Sequence, residues 1–186
     1  IPIVIQNGIT NFVSLLDNIM VGQVGTLQMS GVSIVNQFVF IFNLLVFGAV
    51  SAAGIFTAQF HGLKDVNGER HTFRFKFLFC GLITVAGILL FLFYGEPLLK
   101  LYMQGDQGVT DAAATLHFAK DYLLIMLVGL LPYTIVQCYS STLRETGKTI
   151  VPMIAGISAV LVNLVLNYVL IFGHLGLPRM GVAGAA

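Results

Sequence analysis

Charge is what this sequence has least of. Nine residues are Lys or Arg and eight are Asp or Glu, 9% of the chain, against roughly 25% in soluble domains. Hydrophobic residues make up 57% and the mean hydropathy is +0.92. A soluble domain of 186 residues could not hide that much apolar surface. The formal net charge of +1, with the basic residues scattered through loops, gives no clustered cationic surface for phosphate and so excludes a nucleic-acid partner. Cysteine is scarce as well: Cys80 and Cys138 both fall in apolar segments, without CxxC or metal-ligand spacing, and read as free membrane thiols. The chain opens "IPIVIQNG", without a Met or a basic stretch ahead of an apolar run, so it does not resemble a signal peptide. It closes on "GVAGAA", at the start of another apolar run. Both ends read as cut from a longer protein.

Enzymatic motifs are missing too. No HExxH, no GxSG, no paired-Asp motif and no intramembrane His is present. "GERH" (Gly68 to His71) and "MQGDQG" (Met103 to Gly108) read as turns in loops. "TGKT" (Thr146 to Thr149) lacks the glycine spacing of a phosphate loop. No metal site and no cofactor are expected.

What the chain does have is a series of apolar runs, each near the roughly 20 residues that a membrane helix needs. Five helices are predicted: from before Ile1 to about Gly22, Ser30 to Phe60, Phe73 to Tyr94, Ala113 to Leu143, and Ile150 to Phe172, followed by the start of a sixth. The stretch "GEPLLKLYMQGDQGVTDAAATLHFAKDY" reads as a long connection whose Ala-rich half enters the fourth helix. Pro132 should kink or loosen that helix, because proline removes a backbone donor. The expected fold is an all-α polytopic membrane protein whose lasting partner is the lipid bilayer. Cytoplasmic loops are enriched in Lys and Arg. Lys64, Arg70, Arg74, Lys76, Arg144 and Lys148 fall on one side, while Lys100, Lys120 and Arg179 share the other with Glu96, Asp106, Asp111 and Asp121. The amino terminus is therefore expected in the cytoplasm.

Within "SLLDNIMVGQVG" lies Asp17, the sole charged residue before Lys64. At about 100° per residue, Gln6, Asn7, Thr10, Asn11, Ser14, Asp17 and Asn18 fall in an arc of roughly 140° on the first helix. Lipid cannot solvate such a stripe, so it must face other helices or a hydrated cavity, and an acid on it is a functional-site candidate. An ionised carboxylate at mid-membrane costs about 2.5 to 3.5 kcal/mol on insertion scales. Desolvation favours its neutral form, which suits a group that binds and releases a proton or a small cation. The alternative, that Asp17 snorkels to the interface, leaves its six polar companions unexplained. Weaker stripes occur elsewhere: Ser33, Asn36, Gln37 and Asn43 on the second helix, Tyr133, Gln137, Ser140 and Ser141 on the fourth, and Asn163 and Asn167 on the fifth. Single amides and hydroxyls often only tie helices together. Four striped helices together favour a central hydrated cavity.

"DNIMVGQVG", "AQFHGLKDVNGER", "LRETGKTIVPM" and "NLVLNYVLIFGHLGLPRMGVAGAA", in this order and spacing, resemble the MATE (multidrug and toxic compound extrusion) transporters over essentially the whole chain. The resemblance implies that residues 1–186 form the amino-terminal lobe, about six helices of twelve, with a homologous carboxy-terminal lobe as partner. It also implies antiport of small organic substrates, often cationic, against H+ or Na+ across a bacterial inner membrane. In the family the acid of the first helix is the usual coupling carboxylate, which falls on Asp17. Two polar residues spaced by four fall on Asn163 and Asn167; some members carry Asp at the second position, so Asn167 removes one negative charge from a site that could hold Na+. A proline associated with bending of the first helix falls on Pro2. Two alternatives stand beside this reading. A lipid-linked oligosaccharide flippase of the same superfamily would want basic residues that the first two helices lack. A non-transporting scaffold or receptor domain would not be expected to carry an acid on a polar intramembrane stripe.

Overall fold

Five long helices account for nearly all of the backbone that the computed structural model describes, residues 2–22, 26–105 and 112–172. The side chains of residues 2, 3, 17, 21, 26–28, 103–105, 112, 113 and 172 are not among those described. The elements are α1 (Pro2–Gly22), α2 (Thr26–Gly62), α3 (Val66–Gly105), α4 (Ala112–Glu145) and α5 (Ile150–Phe172). The expected start of a sixth helix lies outside the described residues.

Helices α2, α3 and α4 pack against one another as a three-helix group, whereas α1 packs chiefly on α5 and only lightly on α2. The core sits inside the group, where Val35, Phe42, Val46, Cys80, Leu127, Leu130 and Cys138 are buried together. Gly31 lets α2 approach α4 closely. A Cβ there would stand 3.1 Å from the Thr115 carbonyl oxygen and the Ala119 amide nitrogen. The outer faces stay apolar: Leu78, Leu82 and Phe93 on α3 are largely exposed. Among the described residues, four helices, α2 to α5, are long and apolar enough to cross a membrane.

Two helix ends explain where the sequence reading misjudged the boundaries. At 1.5 Å per residue, the 37 residues of α2 and 40 of α3 reach roughly 55 and 60 Å, about twice the ~30 Å of a hydrocarbon core. These helices therefore run on past their apolar stretches. "GERH", expected as a loop turn, lies in the opening turns of α3, and the expected connection from Gly95 onward is helical as far as Gly105. Local chemistry marks the real ends. Lys64 adopts φ 56°, and the Asp65 amide donates to the Phe60 carbonyl at 3.0 Å, closing α2. The Asp65 carboxylate then accepts from the Asn67 and Gly68 amides at 3.1 Å each, capping α3. At the end of α4, Gly147 takes φ 78°, and the Lys148 and Gly147 amides donate to the Leu143 and Arg144 carbonyls at 2.8 and 3.1 Å. Pro132, expected to kink or loosen α4, lies inside a helix that runs unbroken from Ala112 to Glu145, as Pro97 lies inside α3.

Candidate functional site

The stripe on α1 divides by exposure. Gln6 and Thr10 are half-buried, while Asn7, Asn11, Ser14 and Asn18 are exposed among these helices. The Thr10 hydroxyl donates to the Gln6 carbonyl at 2.9 Å, which satisfies it without a partner on another helix. Asp17 belongs to α1, but its side chain lies outside those described, as does that of Pro2. Helix α5, on which α1 packs, carries Asn163 exposed and Asn167 buried at 5% exposure. The Asn167 amide Nδ2 donates to Asn163 Oδ1 at 3.2 Å. The helix of Asp17 therefore packs against the helix that holds this linked amide pair.

The other predicted cavity residues sit in the three-helix group. Asn36 and Gln37 are exposed on α2, and the Tyr122 hydroxyl reaches Asn36 Oδ1 at 3.4 Å. Asn43 is half-buried, and its Oδ1 is enclosed without a hydrogen-bond donor among the described residues. On α4, Tyr133, Gln137 and Ser140 are half-buried, with Gln137 Nε2 donating to the Tyr133 hydroxyl at 2.7 Å. The candidates thus fall into two sets, one on the α1–α5 pair and one on the α2–α4 face.

A third polar set, along the α3–α4 seam, went unnoticed in the sequence. Lys76, counted there with the loop charges, is fully buried at 0% exposure. Its Nζ donates to Glu145 Oε2 at 2.7 Å and to the Ser141 and Thr142 hydroxyls at 3.2 Å each, so all three donors are used. The Ser141 hydroxyl donates to the other Glu145 oxygen. One turn along, Cys80 meets Cys138; one turn further, the Thr84 and Thr134 hydroxyls are 2.7 Å apart. The signal was the spacing of 76, 80 and 84 by four, which puts all three on one face of a helix. Gly54 on α2 makes room for Glu145, because any Cβ there would collide with its carboxylate.

Arg144 joins the two sets of helices. Its Nη2 donates to Gln6 Oε1 on α1 at 3.3 Å, and Gln6 itself lies against Gly156 of α5. Beside it, a cavity of about 190 Å³ between α2 and α4 is lined by Phe47, Val50, Ser51, Gln137, Ser141, Arg144 and Glu145.

Comparison with known proteins agrees with this architecture. The model of the MatE family matches residues 2–169. "Probable multidrug resistance protein NorM" of Bacillus licheniformis is 30% identical over 189 residues, taking in 100% of this chain and 39% of that protein. "Multidrug resistance protein PmpM" of Pseudomonas aeruginosa is 29% identical, over 98% of this chain and 37% of the relative. A solved MOP superfamily transporter from Pyrococcus furiosus, described as having a binding pocket of reverse polarity that suggests a different function, superposes with a TM-score of 0.85. It covers 99% of this chain and 38% of its own at 20% identity. The chain spans about 39% of the length of the first of these relatives.

Proposed function

The chain belongs to the MatE family, whose members are transporters and not enzymes, and on that premise we propose that it is the amino-terminal lobe of a two-lobe exporter that couples efflux of organic compounds to entry of H+ or Na+. The observation that carries the proposal is the polar face of α1. Asn7, Asn11, Ser14 and Asn18 remain uncovered by the other four helices, yet lipid cannot solvate them. That face is suited to line a hydrated cleft closed by a second lobe. Asp17, on the same arc, supplies the coupling carboxylate. Asn163 and Asn167 contribute neutral amide oxygens from the helix packed beside it, and Gln6, Thr10, Asn36, Gln37, Asn43, Tyr133, Gln137 and Ser140 line the cleft.

Coupling needs no more than differential affinity between states. A carboxylate occupied by a proton or Na+ has no charge left for a cationic substrate, and one facing the substrate has lost its cation, so the two ligands exclude each other. Rocking one lobe against the other then exposes the acid to each side in turn. The Lys and Arg residues of the α2–α3 and α4–α5 loops support a cytoplasmic amino terminus, and on that orientation efflux runs away from the end of the bundle that holds Lys76, Arg144 and Glu145. The setting proposed is a bacterial inner membrane.

The test is ethidium extrusion by the complete protein in cells lacking their own efflux pumps, under an imposed proton or sodium gradient. Asp17→Asn is expected to reach the membrane at the wild-type level and to lose gradient-driven extrusion. Retained extrusion in that variant would remove Asp17 from the mechanism. Asn167→Asp restores a second carboxylate and is expected to shift the pH or sodium dependence of export; an unchanged ion profile would leave α5 as scaffold.

A further inference from the structure

We infer that the cavity between α2 and α4 is a subsite for a small anionic oxygen group, a carboxylate or a phosphate, held by Arg144. The inference starts from a charge imbalance. Two charged residues line the cavity, Arg144 and Glu145, and the carboxylate is already spent: Glu145 accepts from Lys76 of α3 through one oxygen and from Ser141 through the other. Arg144 has no carboxylate within ion-pair distance among the described residues. It donates to the neutral amide oxygen of Gln6 at 3.3 Å, and its Nε–H is enclosed without an acceptor among the described residues. A guanidinium with an enclosed, unpaired donor is costly to keep. An arginine that lines a cavity without an ion-pair partner can take a carboxylate or phosphate through the terminal nitrogens of its guanidinium.

The cavity walls complete the site. The Ser51 hydroxyl and the Gln137 amide line the same space as Arg144, and Phe47 and Val50 close its apolar side. At about 190 Å³ it falls below the roughly 300 to 1,000 Å³ of pockets that enclose whole drug-sized ligands. An anionic group fits there either as the end of a larger molecule or as a free ion. The transport arm of the test rests on the export reading above; the binding arm does not.

For the binding arm, the complete purified protein is unfolded thermally in detergent with inorganic phosphate added at constant ionic strength, chloride serving as the control. Phosphate is expected to raise the Tm of wild type saturably and to weaken in effect by about tenfold or more in Arg144→Gln. Gln6→Leu breaks the tie to α1 but keeps the guanidinium, so it is expected to keep the phosphate response. Loss in Gln6→Leu as large as in Arg144→Gln would make the contact a helix tie and overturn the inference. Ser51→Ala, which deletes only a cavity hydroxyl, is expected to weaken the response several-fold and serves if Arg144→Gln does not fold.

The transport arm compares a cationic rhodamine methyl ester with its free-carboxylate counterpart. If Arg144→Gln slows export of the acid about tenfold more than that of the ester, the anionic group belongs to the substrate. A phosphate-dependent Tm with equal effects on both dyes assigns the subsite to a free ion. No phosphate response in wild type together with equal effects on both dyes overturns the subsite. Export of neither dye by wild type counts against the export reading and leaves the binding arm to decide.

Discussion

The α3–α4 seam and the α1 face carry similar polar side chains and use them in opposite ways. Along the seam polar groups meet across the two helices: Lys76 donates to Glu145, Ser141 and Thr142, and the Thr84 and Thr134 hydroxyls stand 2.7 Å apart. On α1 the Thr10 hydroxyl turns back to its own helix, and Asn7, Asn11, Ser14 and Asn18 are left exposed. Polarity that is paired inside a bundle holds helices in register. Polarity left open in a membrane protein is available to ions, water and substrate. The difference fits a structural role for the seam and, on the proposed export reading, a transport role for the α1 face, and substitutions can separate the two.

The largest expected effect is on the seam. Lys76→Met leaves the Glu145 carboxylate without its cation and should cost about 3 to 5 kcal/mol, read as a fall in Tm of the detergent-solubilised protein. The double variant Lys76→Met/Glu145→Leu should recover most of that loss, because it removes both charges together. Asp17→Asn, on the other region, should leave the Tm near wild type while ending coupled export. A large fall in Tm there would erase the distinction. Thr134→Val removes the bond to Thr84, which still donates to the Cys80 carbonyl at 2.8 Å; the cost should be near the ~0.6 kcal/mol average for interhelical hydrogen bonds in membranes. Smallest of all is Lys64→Gly. Lys64 holds a left-handed backbone at φ 56°, which costs a side-chain-bearing residue about 1 to 2 kcal/mol. Glycine removes that strain but loses more entropy on folding, so a net gain of about 0.5 kcal/mol is expected, seen as a small rise in Tm.

Much of the fold was legible because membrane helices are written in composition. α5 has the bounds expected from its apolar run, Ile150–Phe172, and the polar arc of α1 followed from helical period. The ends of α2 and α3 were less legible, since hydropathy marks where lipid stops and not where a helix stops. Asp65 and the left-handed Lys64 mark the real break between those helices. Lys76 was misread for a related reason: a lysine beside a loop looks like a loop charge until a carboxylate one helix away draws it inward. Glu145 sits 69 residues along the chain, and no local pattern links the two.

By itself the sequence determined the solvent of this protein, its helical class and the polar face that carries Asp17, because each depends on composition or on the 3.6-residue period of a single helix. Only the tertiary structure decided that α1 packs chiefly on α5 while α2, α3 and α4 form a group, that Lys76 is neutralised within the seam, and that Arg144 lines a cavity with only the Gln6 amide as its side-chain partner among the described residues. Those outcomes depend on which helices become neighbours, and neighbourhood is set by close approaches such as Gly31 against α4 and by pairing of charges across the bundle.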